Sequence, residues 1–93
     1  LRERPGGARH QRAKAHVKSL MFECLRLYAG QPLSVDRLVQ QLLSFEYGRV
    51  DQVGDPGEFA LRGGILDIFP ATFESPLRVE LSGNRITTIR SSP

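Results

Sequence analysis

Gly57-Glu58-Phe59-Ala60-Leu61-Arg62-Gly63-Gly64-Ile65-Leu66-Asp67-Ile68-Phe69-Pro70 is the stretch that decides how this chain folds. Two alternating runs flank Gly63-Gly64, a pair able to take positive φ at both positions, so the stretch reads as a β-hairpin. A two-residue turn here places Leu61 opposite Leu66 and Phe59 opposite Ile68, making one apolar face that must be buried. The other face carries Ala60 opposite Asp67 and Arg62 opposite Ile65, with Arg62 and Asp67 close enough to interact. Leu77-Arg78-Val79-Glu80-Leu81 alternates in the same way, with Arg78 and Glu80 on its polar side. If it joins the same sheet, Arg62, Arg78, Asp67 and Glu80 share one exposed surface, and that surface is the candidate site.

Around this core the expected elements are few. Leu20 to Tyr28 is expected to form a half-buried strand with Cys24 as a small filler, although its alternation is imperfect. Ala29-Gly30-Gln31-Pro32 turns the chain. Ser34 caps a helix running to about Ser44, with Asp36 favourably placed in its first turn. Leu38, Leu42 and Phe45 form the helix's apolar stripe, flanked by Val35 and Val39. Arg49 to Val53 reads as a short strand and Gly54-Asp55-Pro56-Gly57 as a turn. Leu77–Leu81 and Arg85–Arg90 make a last hairpin across Gly83-Asn84. Ile86 and Ile89 have opposite parity there, so a bulge or two-sided burial is expected. The fold class is α+β: a small, curved, mainly antiparallel sheet with one principal packed helix, behind a flexible basic N-terminal leader.

Composition narrows the functional classes. Ninety-three residues, 40% hydrophobic and 25% charged, suit one small globular domain with a modest core. No apolar run approaches the ~20 residues of a membrane span, and no signal-peptide pattern follows the basic start. The single cysteine fits a reducing cytoplasm. Of the 13 basic residues, six fall within residues 1–20, against Glu3 alone; the remaining seven arginines face nine carboxylates. The basic character therefore belongs to the leader, assigned to residues 1–19, and the folded domain is assigned to residues 20–93. A weak helical tendency runs from His10 to Lys18. His10 and His16 have no ligand cluster beside them, and neither a metal nor a cofactor is expected.

Catalytic signatures are missing. No Gly-x-x-x-x-Gly-Lys-Ser/Thr string is present, so no nucleotide-hydrolysing centre is expected. Arg62-Gly63-Gly64 inside an apolar hairpin is a turn, not an RNA-binding element. Asp67 and Glu80 sit beside arginines, which keep carboxylates ionised and poor as general acids. Recognition is left, and arginine suits it: its planar fork pairs bidentately with carboxylates and its weak hydration lowers the cost of burial. Ion pairing of Arg62 and Arg78 with Asp67 and Glu80 is the plain structural alternative.

The string from Arg49-Val50-Asp51-Gln52-Val53 through Pro56-Gly57-Glu58-Phe59 and Arg62-Gly63-Gly64-Ile65-Leu66-Asp67-Ile68-Phe69-Pro70 to Pro76-Leu77-Arg78-Val79-Glu80 resembles bacterial transcription-repair coupling factors. More narrowly, it resembles the module that those motor proteins share with the excision-repair helicase UvrB, over about Leu25 to Arg90. Gly57-Glu58-Phe59 and Gly64-Ile65-Leu66-Asp67 are closer to the coupling factors, since UvrB proteins tend to carry Arg-Gly-Asp at the turn. The resemblance implies a non-enzymatic docking module for UvrA, the damage-recognition ATPase of nucleotide excision repair. RNA polymerase and DNA would be engaged only by other domains of the whole family protein. The family's interface arginines fall on Arg62 and Arg78. Its Phe-Phe-Gly-Asp-Glu segment is replaced by Leu81-Ser82-Gly83-Asn84-Arg85, so Ser82 stands where an aromatic contact would be. Its Leu-Gly-Tyr-Glu-Arg after the helix becomes Phe45-Glu46-Tyr47-Gly48-Arg49, with Glu46 in the glycine's place. Two alternatives stay open: a nucleic-acid-binding protein using the basic leader, and the equivalent domain of UvrB.

Overall fold

A computed structural model describes residues 17–23 and 25–91, and within it the hairpin forms in the expected register. Strands β4 (Glu58–Arg62) and β5 (Ile65–Phe69) pair antiparallel with Leu61 opposite Leu66 and Phe59 opposite Ile68. Gly63 alone of the two turn residues takes positive φ, +58°, the pattern of a type II′ turn. Gly64 serves proximity instead. Its carbonyl accepts the Leu81 N–H at 2.8 Å, and a Cβ there would lie 2.8 Å from the Leu81 carbonyl oxygen.

Before this hairpin come β1 (Ser19–Phe22), β2 (Leu25–Tyr28), helix α1 (Val35–Ser44) and β3 (Gly48–Arg49); after it come β6 (Leu77–Ser82) and β7 (Arg85–Ser91). The sheet runs β3-β4-β5-β6-β7, antiparallel except for the β3–β4 pair, and β1-β2 form a second, two-stranded sheet. Phe59, Leu66, Ile68, Val79, Ile86 and Ile89 from the large sheet, Leu38, Val39 and Leu42 from α1, and Phe22, Leu25 and Leu27 from β1-β2 belong to one buried cluster. At roughly 1.5–3 kcal/mol for each large apolar side chain removed from water, this cluster is the main source of stability.

Two strand expectations need correction. Leu20 to Tyr28 is not one strand but a tight hairpin, with Leu20 opposite Leu27 and Phe22 opposite Leu25. The chain reverses at Glu23, whose φ of +51° no uninterrupted strand would adopt. Reversal lets Phe22 and Leu25, of opposite parity, reach the same core. The short strand is Gly48–Arg49, not Arg49–Val53. Beyond Val50, whose N–H still donates to the Phe59 carbonyl, the chain loops away.

The β1-β2 hairpin also closes an edge. Val17 N–H donates to the Ile89 carbonyl, Gly30 N–H to the Ile86 carbonyl, and Ile86 N–H to the Gln31 carbonyl. The outer side of β7 is thereby covered at both ends, which protects an edge strand from pairing with another chain. Residues 1–16, Cys24, Ser92 and Pro93 lie outside the described residues, and with them both histidines and all of the leader assigned to residues 1–19 except Val17, Lys18 and Ser19. Of these, Val17 is bonded to β7 and Ser19 opens β1.

Helix α1 has the expected start. Ser34 Oγ accepts the Arg37 N–H at 3.4 Å and Asp36 lies in the first turn. Its end is a Schellman motif, with Tyr47 N–H donating to the Leu42 carbonyl and Glu46 N–H to the Leu43 carbonyl. Glu46 occupies the left-handed position, φ +68°, that glycine fills most easily. A left-handed L-residue costs about 1–2 kcal/mol, part of which glycine returns as unfolded-state entropy. Glu46→Gly is therefore expected to raise stability by about 0.5–1 kcal/mol in urea denaturation, with an unchanged m-value.

The loop into β4 is pinned by Glu58, whose Oε1 accepts the N–H groups of Gly54 and Asp55, both at 2.9 Å. These bonds hold the Glu58 pKa below its ordinary value of 4.5. The unfolded chain then binds its proton at higher pH than the folded chain does. The stabilisation is complete above pH 4.5 and is lost as pH falls through the lowered folded value. Glu58→Gln is expected to flatten the acid limb of the melting-temperature profile measured between about pH 3 and pH 6.

Candidate functional site

The polar face of the large sheet is built from two rows of directly opposed residues. One runs Ala60, Asp67, Arg78, Arg90 across β4 to β7; the other runs Arg62, Ile65, Glu80, Thr88. Strand period and register alone fix these rows, since the alternate positions are committed to the core.

Asp67 and Arg78 stand directly opposite each other and form a bidentate pair. Arg78 Nε donates to Asp67 Oδ1 at 2.9 Å and Arg78 Nη2 to Asp67 Oδ2 at 3.1 Å. The hydrogen bond to Asp67, and next its charge, raises the Arg78 pKa, with Glu80 adding to it. The contact expected between Arg62 and Asp67 does not form: Asp67 lies diagonal to Arg62 and its oxygens are taken by Arg78. Arg62 Nη2 instead donates to the Asp51 carbonyl oxygen at 3.2 Å. Glu80 Oε1 accepts from Arg90 Nη2 at 3.2 Å and from the Thr88 hydroxyl. Ser82, at the end of β6 opposite Arg85, is exposed and follows Arg78 and Glu80 in alternation.

Arg90 and Thr88 were not anticipated on this face. The bulge expected from Ile86 and Ile89 is present: Leu81 pairs with Ile86 but Glu80 with Thr88, leaving Thr87 as the extra residue. Both isoleucines are buried. Beyond the bulge the parity of β7 inverts, which carries Thr88 and Arg90 to the polar side. That consequence could have been drawn from the sequence once the bulge was expected. Among the described residues, Arg90 Nε is a buried donor without a hydrogen-bond partner.

Asp51, Gln52, Ala60, Arg62, Ile65, Asp67 and Arg78 surround a cleft of about 390 Å³. Ala60, buried and small, makes its floor, so the arginines rise as walls above a low point in the sheet. Asp51 and Gln52 were missed because loop 50–57 reaches the face only through tertiary structure. Among the described residues, no three His, Cys, Asp or Glu side chains group as a metal site. Nor does any helix there have the length and apolarity to cross a membrane. The arrangement offers fixed guanidinium groups and a shallow recess, which are means of holding another polar surface.

Such a sheet, presenting a charged face with its opposite side packed on a helix, defines a small α+β domain. Comparison with known proteins places it further: residues 25–92 match the UvrB interaction domain, and the chain belongs to that family. It is similar to transcription-repair-coupling factors, 51% identical over 70 residues to that of Mycobacterium bovis, which covers 75% of this chain. The Bacillus subtilis factor is 43% identical over 65 residues, 70% of the chain, and the Staphylococcus aureus MSSA476 factor 42% over 66 residues, 71% of the chain. The matched segment spans only 6% of the length of each of these relatives.

Proposed function

We propose that this chain is a non-enzymatic docking module that binds UvrA and thereby recruits nucleotide excision repair, acting in the cytoplasm. The observation that carries this reading is the placement of Arg62 and Arg78 around one cleft on one sheet face, backed by the family to which the chain belongs. Arg78 is held ready by Asp67, and Arg62 keeps most of its donors directed to solvent or a partner. Contacts with RNA polymerase and DNA belong, on this reading, to other parts of the longer relatives. Asp67 and Glu80 act by orienting Arg78 and Arg90, and Ser82 adds a contact at the end of β6, outside the cleft.

The test is calorimetric titration of the full chain with purified UvrA, beside a variant lacking residues 1–16. The cut precedes Val17 because Val17 is hydrogen-bonded to β7. Docking through the sheet face predicts saturable binding that survives removal of the leader. Binding of DNA by the full chain, falling steeply with salt and abolished by the truncation, without any UvrA binding, would overturn it in favour of the electrostatic arm.

A further inference from the structure

The large apolar side chains exposed among the described residues are Met21, Tyr28, Leu43 and Ile65. Met21 and Tyr28 lie on the β1-β2 hairpin and Leu43 on α1; Ile65 alone stands on the charged face, 36% exposed at the rim of the cleft. Its two cross-strand neighbours are Arg62 and Glu80, whose long stems would ordinarily fold over it. Both are held elsewhere. Arg62 reaches to the Asp51 carbonyl on the β3 side, and Glu80 is held toward β7 by Thr88 and Arg90. Ile65 is left partly exposed between them.

Charge on the face is unequal as well. Asp67 neutralises Arg78 and Glu80 neutralises Arg90, while among the described residues Arg62 has no carboxylate partner. The residue that carries this uncompensated guanidinium thus stands directly across a strand pair from an exposed isoleucine, about 5.5 Å between backbones, with its charged end turned toward Asp51. Residues i and i+2 of an extended segment point to one side roughly 6.6 Å apart, so neighbouring side chains of one short segment can engage both positions of this face.

We propose that Ile65 is the apolar anchor of this face, and that the occupant is an acidic segment of the docking partner. Its carboxylate pairs with Arg62 while an apolar side chain beside it lands on Ile65. The inference rests on the docking reading above and adds to it the position of the anchor and the chemistry of the occupant. Apolar contact between charged groups excludes water and strengthens the neighbouring pairs. Ile65 fills that role on a face where Ser82 offers no large side chain.

The full chain is titrated with purified UvrA at three salt concentrations, as wild type, Ile65→Ser, Arg62→Ala and Arg62→Glu, with thermal melts to confirm folding. Ile65→Ser, altering an exposed side chain, is expected to weaken binding about tenfold at every salt concentration, leaving the salt dependence unchanged. Arg62→Ala is expected to weaken binding and flatten the salt dependence, and Arg62→Glu to bind at least ~3-fold more weakly than Arg62→Ala, because like charges then meet. Binding by Ile65→Ser within twofold of wild type, while Arg62→Ala is impaired, overturns the anchor and leaves the docking reading standing. Equal binding by Arg62→Glu and Arg62→Ala overturns the acidic occupant. Absence of wild-type binding overturns the docking reading and this inference with it.

Discussion

The Arg62→Ala/Arg78→Ala double variant is expected to lose at least ~100-fold in affinity for UvrA while remaining folded. Central arginines are common hot spots, each worth about 2 kcal/mol or more on truncation. Even with strong non-additivity, ~3 kcal/mol together corresponds to more than 100-fold. The two arginines differ in their preparation for binding. Arg78 is fixed by two hydrogen bonds to Asp67, so little rotamer freedom remains to be lost when it docks. Arg62 makes one bond to a backbone carbonyl and loses more freedom on binding, but it brings an uncompensated charge. Arg62→Ala should therefore reduce the salt dependence more than Arg78→Ala does.

Removing Arg78 alone also leaves the Asp67 carboxylate, with 24% of its side chain exposed, without its partner. Because Arg78 itself is 44% exposed, solvent screens the pair and its loss costs only about 1 kcal/mol. A melting-temperature decrease of ~4–8 °C would follow for a domain of this size. The Asp67→Ala/Arg78→Ala variant removes both charges together and is the control for that loss. If it melts near wild type and still fails to bind UvrA, affinity was lost through the interface and not through unfolding.

Much of this face was legible in the sequence because period-2 alternation and a two-residue turn leave one register. Phe59, Leu61, Leu66 and Ile68 cannot all be buried if β4 and β5 slip by one residue, so Arg62, Asp67, Arg78 and Glu80 were bound to share the other side. Ser34 and the Leu38–Leu42 stripe defined the helix equally well. Who pairs with whom was a finer matter. Asp67 is opposite Arg78 and only diagonal to Arg62, a distinction that requires the β5–β6 register, and no two-residue turn joins those strands. The reversal at Glu23 was hidden for a different reason. Glycine, asparagine and proline are absent there, and the left-handed backbone is imposed by the burial of Phe22 and Leu25 on either side. Glu46 shows the same override at the helix end, where the Schellman bonds and the burial of Tyr47 hold a residue that local preference disfavours. Tyr47 gains from this position: its hydroxyl accepts the Ala71 N–H at 2.9 Å, tying the helix exit to the loop before β6.

Phe59→Ala is expected to cost about 3–5 kcal/mol and to lower the melting temperature by ~15 °C or more. Phe59 is fully buried on β4, opposite Ile68 on one side and Arg49 on the other, in the same cluster as Leu38 and Leu42 of α1. Its ring belongs to an apolar cluster, and the neighbouring strands cannot close on the space it would vacate without breaking their ladders. Against a total stability of about 0.05–0.15 kcal/mol per residue, the loss is a large fraction of the whole. Phe59→Leu, retaining most of the volume, should cost less than half as much. The consequence for function follows from geometry, since Arg62 is carried three residues further along the same strand, on the opposite face. Below its lowered melting temperature, the Phe59→Ala chain should still bind UvrA within a few-fold of wild type, because the hairpin register is set by many contacts besides this ring. A melting temperature within 5 °C of wild type would place the stabilising centre elsewhere in the buried cluster. Lost binding in a folded Phe59→Ala chain would show that the charged face depends on the core beneath it for its shape.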